Sequence, residues 1–166
     1  MWQRIQTVFL VISIIALLVS LVMPIWTAIG HGETAESIEQ SQILTPFYLS
    51  TTPAGQEAKV AVPSYMPYSI TAMFAVAAIT LSIIEITKYR ARVTQMKIGA
   101  LNSFFLVGVL LCSYYFSSQL SKSLIQGGGE YGPGMWLPGI SVLANLLANR
   151  FIRKDEKLVR DSNRLR

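Results

Sequence analysis

Five polar side chains interrupt otherwise apolar segments of this chain, and their types and spacing could support chemistry. They are Gln6, Glu85, Asn102, Asn145 and Asn149. Asn145 and Asn149 are four residues apart, so they share one helix face from which their amides can hydrogen-bond to a neighbouring helix. A carboxylate such as Glu85 in an apolar segment is by default a candidate for binding or moving a solute. The alternative interpretation is a structural polar clamp between helices.

The residue sets of several common catalytic and cofactor sites are missing from the sequence. His31 is the single histidine and Cys112 the single cysteine, which excludes haem held by paired histidines, a disulfide framework and a CxxC metal motif. The apolar segments contain no pair of carboxylates for a hydrolase. The glycine-rich run 127–134 lacks a following Lys-Ser/Thr pair, so we expect a flexible external linker and not a phosphate loop. The sequence therefore predicts no enzyme, cofactor or metal.

The composition predicts an integral membrane protein. Of the 166 residues 52% are apolar and 14% charged, against roughly 25% charged residues in soluble domains. Four segments are long enough to cross a hydrocarbon core of about 30 Å. They are 5–26, 67–87, 98–120 and 134–152. The first is longer than the core of a signal peptide, so we expect it to be retained. The expected fold is an all-α membrane protein, an up-down bundle of four transmembrane helices.

The 14 Lys and Arg residues are distributed unevenly among the connections. Twelve lie before the first span, between the second and third, or from the last turn of the fourth span onward, and only Lys59 and Lys122 lie in the other two connections. The positive-inside rule therefore predicts that both termini face the cytoplasm. Membrane insertion also explains the pI near 9.5. This disfavours nucleic acid as a partner and favours a bilayer with an anionic cytoplasmic leaflet.

The connection 27–66 is predicted to form a small external cap. Its second half contains two short runs, Ile43 to Ser50 and Ala58 to Ser64, that are partly β-branched or aromatic. The residues between them, Thr-Thr-Pro-Ala-Gly-Gln, are typical of a turn, so the pattern predicts a β-hairpin. Because an isolated hairpin is only marginally stable, we expect it to rest on the helix ends.

The segment 153–166 continues the fourth span with charged residues and with apolar residues about seven apart. This pattern predicts an amphipathic helical extension, with Glu156 to Arg160 and Lys157 to Asp161 as pairs four residues apart. The extension could lie near anionic headgroups or dock a cytoplasmic partner, and both interpretations stay open. The candidate docking residues are Arg4, Arg153, Asp155, Glu156, Arg160, Asp161 and Arg164.

Three pairs of small residues, each four apart, predict close helix packing inside the bundle. The pairs are Ala78 with Ser82, Gly99 with Ser103, and Ala144 with Ala148. Small-residue faces of this kind also permit a homo-oligomer.

Three segments at the predicted cytoplasmic edge resemble a known family. They are the opening Met-Trp-Gln-Arg-Ile-Gln-Thr-Val-Phe-Leu, the connection Lys-Tyr-Arg-Ala-Arg-Val-Thr-Gln-Met-Lys, and the tail, in which 155–160 and 164–166 match while 161–163 fit more loosely. The chain is similar to an uncharacterised family of four-span inner-membrane proteins of Bacteroidetes bacteria, described as a domain of unknown function. The resemblance implies location and architecture, and it carries no activity.

Two functions are compatible with these observations. The leading hypothesis is a non-enzymatic accessory or scaffold protein that docks a partner protein through its cytoplasmic edge and tail. The alternative is a small-solute transporter, or a subunit of one, in which the five polar residues line a cavity facing the cytoplasm. A scaffold predicts that these groups bond to one another in a narrow seam, whereas a transporter predicts a hydrated cavity.

Overall fold

The computed structural model describes residues 2–31, 39–53, 62–88, 91–123 and 129–164. Within these ranges the chain forms four α-helices and five β-strands. The helices are α1 (Trp2–Val22), α2 (Ser69–Thr87), α3 (Arg92–Ser123) and α4 (Pro133–Arg164). The strands are β1 (Trp26–His31), β2 (Glu39–Leu44), β3 (Leu49–Pro53), β4 (Val62–Ser64) and β5 (Gly129–Tyr131).

The four helices pack side by side, each against its neighbours in chain order, and α4 returns to pack along the length of α1. Prolines mark two of the helix ends. α1 ends at Val22, two residues before Pro24, and α4 begins at Pro133, where a missing N–H costs nothing. α1 and α4 run antiparallel, because Ser20 near the end of α1 contacts Gly134 at the start of α4.

The distribution of side chains is the reverse of that in a water-soluble bundle. Large apolar side chains such as Ile15, Met73 and Phe104 are more than half exposed on the outer faces. Polar side chains, among them Ser82 and Ser113, are fully buried between the helices. This arrangement suits helices surrounded by lipid, in which association relies on small and polar residues.

Three of the helices are long and apolar enough to cross a membrane, namely α1 from Ile5, α2 and α3. The predicted fourth span is not confirmed by this criterion of length and composition. Pro138, Asn145, Asn149 and Arg150 interrupt the apolar part of α4 and lower its mean hydropathy.

A five-stranded antiparallel sheet covers one end of the bundle, in the order β4-β3-β2-β1-β5. Its inner face buries Trp26 of β1, Ile25 just before that strand, and Leu44 of β2. These side chains pack against Phe116 and Leu120 in the last turns of α3. The predicted cap therefore exists and rests on helix ends, as expected, but it is larger than one hairpin, and the all-α prediction is too narrow.

The boundaries of the predicted hairpin are wrong. The run 43–50 is not one strand, because residues Thr45 to Tyr48 form a turn between β2 and β3. The Thr45 hydroxyl donates to the carbonyl of Tyr48 at 2.8 Å and accepts from its N–H at 3.1 Å. Pro46 in this turn has no N–H for a sheet ladder, which explains the break. The second hairpin pairs β3 with β4, and residues 54–61 lie outside the described ranges.

The prediction of a flexible linker at 127–134 is also wrong for the part that the structure describes. Residues 129–131 form β5, which pairs with β1. A Cβ at Gly129 would overlap the indole of Trp26, so only glycine lets the strand lie over this ring. Gly132 and Gly134 then donate their N–H groups to the carbonyls of Ile25 and Pro24, both at 2.9 Å.

Helix boundaries differ from the predicted spans in three further places. The segment predicted to span 5–26 leaves the helix after Val22, because Ile25 and Trp26 belong to the sheet layer. α2 begins at Ser69, two residues after the predicted start of its span at 67. α3 begins at Arg92, six residues before the predicted start of its span at 98. The predicted extension of the fourth helix is confirmed as far as Arg164.

Candidate functional site

Four of the five predicted polar residues meet between α2, α3 and α4, near the end of the bundle opposite the sheet. Glu85, Asn102 and Asn145 are fully buried, and Asn149 is 6% exposed. Each lies on the inward face of its helix because the apolar residues around it point outward to the bundle surface. We call these four residues the polar cluster.

Asn102 and Asn145 form a hydrogen-bonded seam across three helices. Asn102 Nδ2 donates to Ser82 Oγ of α2 at 2.8 Å and to Asn145 Oδ1 of α4 at 3.3 Å. Asn145 Nδ2 donates to Ser103 Oγ at 2.8 Å and to the carbonyl of Gly99 at 3.2 Å, both in α3. Every amide hydrogen of the two asparagines therefore has a partner, although Asn102 Oδ1 accepts no hydrogen bond from a described residue. A polar clamp accounts for the bonds in this half of the cluster.

Glu85 and Asn149 form the other half, and their oxygens are not satisfied. Both meet at Gly99, where an added Cβ would overlap Asn149 Oδ1 and lie 2.7 Å from Glu85 Oε1. Gln95 joins them, since its Nε2 donates to the backbone carbonyl of Glu85 at 3.1 Å. Among the residues that the structure describes, none donates a hydrogen bond to either Glu85 carboxylate oxygen, to Gln95 Oε1 or to Asn149 Oδ1.

The sequence allowed Glu85 to pair with Arg4, Lys88 or Arg150. No ion pair to Lys88 or Arg150 is formed, because both residues are exposed while the carboxylate is buried. The side chain of Arg4 lies outside the described part of the chain. Gln6 is 3% exposed on the inner face of α1, but no hydrogen bond between described side chains joins it to the polar cluster.

A groove of about 430 Å³ runs along the surface beside this half of the cluster, between α3 and α4. Its lining residues are Ala100, Ser103, Leu146, Asn149, Arg150 and Arg153. Asn149 thus lies both in the groove wall and beside Glu85, so a single side chain separates the buried carboxylate from the surface.

Apart from Arg4 in α1, the candidate docking residues lie on the last turns of α4. Asp155 is held by Arg92, the first residue of α3, through a contact of 3.3 Å between Nη1 and Oδ2. Arg92 Nη1 also donates to the carbonyl of Asp155 at 3.2 Å. Glu156 is half-buried, and Arg153, Arg160 and Asp161 are exposed. The side chains of Arg4 and Arg164 lie outside the described part.

The predicted ion pairs along the extension, Glu156 with Arg160 and Lys157 with Asp161, are not formed. Among the described side chains, the ion pair that is formed joins Arg92 to Asp155. Exposed pairs on one helix gain little over solvation of the separate charges, so their absence is physically reasonable.

Residues 2–165 of this chain match the family described as Domain of unknown function (DUF4293). The chain belongs to this family. The match covers all four helices and the sheet, so the polar cluster and the extension of α4 both lie within the family domain. No curated protein matches the chain.

Two residues of this DUF4293 domain that complete the site were missed in the sequence. Gln95 was assigned to the connection before the third span, yet it is 1% exposed inside α3. Its spacing to Gly99 and Asn102, four and seven residues on, is typical of one helix face and could have placed it in the cluster. Arg92 was counted only as a positive charge, and no local pattern indicates that it binds Asp155.

Proposed function

We propose that this protein is a non-enzymatic accessory or scaffold protein of the bacterial inner membrane in the Bacteroidetes, with four spans and both termini in the cytoplasm. The distribution of charge along the bundle supports the orientation. Among the described residues, the sheet end of the bundle carries Lys122 as its basic residue, whereas Lys88, Arg92, Lys97 and the end of α4 make the opposite end strongly basic. An excess of Lys and Arg is typical of the cytoplasmic side.

The outer surface of α4 supports a fourth span. Trp136, Ile140, Leu143 and Leu147 recur at spacings of three and four residues, and each is more than 40% exposed. An apolar stripe of this kind would face water if the helix were not in lipid. The polar residues that lower the mean hydropathy of α4, Asn145 among them, face the bundle interior, where they are buried.

The observation that carries the proposed function is the unbroken course of α4 beyond the bundle. The helix has 32 residues, about 48 Å at 1.5 Å per residue, which exceeds a hydrocarbon core of about 30 Å. After the Arg92–Asp155 contact, Leu158 is 53% and Val159 41% exposed, between the basic residues Lys157 and Arg160.

The continuous helix α4 favours a protein partner over a lipid surface. A helix that lies on headgroups runs in the membrane plane, whereas the residues that follow the proposed fourth span continue the same helix to Arg164. We therefore propose that Leu158 and Val159 contact an apolar patch on a cytoplasmic protein, and that Lys157 and Arg160 face acidic residues around that patch.

The test is a photo-crosslinking amino acid placed at position 158 in the native membrane. The matched control places the same group at Lys122, which is exposed at the sheet end of the bundle. A second sample ends the chain after Glu156, which keeps the Arg92–Asp155 contact and removes Leu158 and Val159. We expect a discrete protein adduct from position 158 only, and loss of the co-purifying partner on truncation.

Two results would contradict the docking proposal. One is an adduct with lipid alone at position 158, since this would assign the extension to the membrane surface. The other is recovery of the same partners, in the same ratio, by the truncated and the full chain.

The transporter alternative receives less support from the cluster geometry. Asn102 and Asn145 bond to each other and to Ser82 and Ser103 in a seam with no described cavity between them, as a scaffold requires. In this seam one oxygen, Asn102 Oδ1, lacks a described partner, whereas neither carboxylate oxygen of Glu85 nor Asn149 Oδ1 has one.

A further inference from the structure

Besides Asn102 Oδ1 in the seam, four buried oxygens in the half of the cluster at Glu85 can each accept a hydrogen bond, and none receives one from a described residue. They are Glu85 Oε1, Glu85 Oε2, Gln95 Oε1 and Asn149 Oδ1. They come from α2, α3 and α4, and the side chains that carry them are at most 6% exposed. A buried carboxylate without a partner costs several kcal/mol, so a folded protein normally supplies a counter-charge or keeps the group protonated.

A proton cannot satisfy this arrangement. Protonated Glu85 has a single O–H, which can serve one acceptor, the nearby Asn149 Oδ1 for example. Gln95 Oε1 and the second carboxyl oxygen would still lack a donor. A metal cation differs because it accepts electron pairs from several oxygens at once, and carboxylate and amide oxygens are typical ligands of hard cations.

The charge and the size of the site restrict which cation can bind. Among the described residues, Glu85 is the only ionisable group whose oxygens point into the site, so a monovalent ion gives a neutral complex and a divalent ion leaves a buried positive charge. The space is narrow, since Glu85 Oε1 and Asn149 Oδ1 approach the same point above the Cα of Gly99. A small ion fits such a space better than a large one.

We propose that Glu85, Gln95 and Asn149 form a sodium site that joins α2, α3 and α4. The ion would be bound by the two carboxylate oxygens and the two amide oxygens. Asn149 also lines the groove between α3 and α4, which gives the ion a short route to the surface. Because Arg150 and Arg153 border that groove, we expect slow exchange. The site is independent of the docking surface around Leu158.

The test measures the thermal unfolding midpoint of the full-length protein, purified in a sodium-free detergent buffer and equilibrated with NaCl, KCl or choline chloride at constant ionic strength. We expect the midpoint to rise saturably with NaCl and at least tenfold less steeply with KCl. Glu85→Gln should abolish the rise, and Asn149→Ala, which keeps the carboxylate, should weaken the apparent sodium affinity at least tenfold. The matched control is Glu130→Gln, the same change at an exposed position in β5.

Three outcomes would overturn the sodium proposal. An equal response to all three salts would show an ionic-strength effect. A midpoint that depends on pH but not on sodium would assign the counter-charge to a proton. An unchanged sodium response in Asn149→Ala would remove α4 from the site, and this variant serves as the test if Glu85→Gln fails to fold.

Discussion

Ser13 of α1 and Ser141 of α4 each donate a hydrogen bond to the backbone carbonyl of the other. The two distances are 3.3 Å from Ser13 Oγ and 3.0 Å from Ser141 Oγ, and both side chains are fully buried. This reciprocal pair lies midway along the contact between the first and last helices. It therefore ties α1 into the bundle, which supports a retained first helix over a cleaved signal segment.

Replacing Ser141 by alanine should destabilise the bundle modestly. Hydrogen bonds between membrane helices contribute on average about 0.6 kcal/mol, so we expect a loss of this order, seen in reversible unfolding in mixed detergent micelles. The control is Thr80→Ala, because Thr80 is exposed and its hydroxyl bonds within its own helix to the carbonyl of Val76. Equal losses in the two variants would argue against a role for Ser141 in joining the helices.

Ser20 compensates for Pro138, and the two should be energetically coupled. Pro138 lies inside α4 and cannot donate to the carbonyl of Gly134, four residues earlier. Ser20 Oγ donates to that carbonyl instead, at 2.9 Å. We expect Ser20→Ala to cost about 1–3 kcal/mol, as for a buried group left unpaired. In a Pro138→Ala background the restored N–H should reduce this cost, and additive losses in the double-mutant cycle would refute the coupling.

The helices and the membrane class could be predicted because they depend on local patterns. Long uncharged segments need no partner to be recognised, and Asn145 and Asn149 show their shared face by their spacing. Glu85 could be singled out because a carboxylate is unusual in such a segment. Burial and proximity of the four cluster residues follow from packing the polar faces inward.

The sheet and the ion-binding half of the cluster depend on contacts between distant parts of the chain. β5 is three residues long, and its partner β1 precedes it by about a hundred positions, so no local pattern distinguishes it from a loop. Gly129 has its role only because Trp26 lies beneath it. Likewise, the absence of a donor near Glu85 depends on where Lys88 and Arg150 point, which spacing alone does not determine.

Gly99 should be intolerant of even one added methyl group. A Cβ there would overlap Asn149 Oδ1 and lie 2.7 Å from Glu85 Oε1. Gly99→Ala must therefore displace the packed side chains of Asn149 and Glu85 or move α3 away from them, at a cost of about 1–3 kcal/mol. Gly139→Ala in α4 is the matched control, because a Cβ at that position meets nothing within 4 Å. Because alanine has the higher helix propensity, Gly139→Ala should leave the free energy of unfolding unchanged or raise it. Equal effects at the two glycines would contradict the close packing of Asn149 and Glu85 against Gly99.

The Arg92–Asp155 contact should fix the direction of the α4 extension more than it stabilises the fold. Both side chains are about one-fifth exposed, 24% and 19%, and such pairs contribute only about 0–1 kcal/mol. We therefore expect the unfolding midpoint of Asp155→Asn to be nearly unchanged. The distances between spin labels at Val93 and Leu158, measured by pulsed electron paramagnetic resonance, should be more broadly distributed than in the wild type. Lys157→Gln, which removes a charge from the exposed face of the extension, should leave the distribution as narrow as in the wild type. If Asp155→Asn also leaves it narrow, packing of α4 alone directs the extension, and the ion pair has no part in presenting Leu158 and Val159 to a partner.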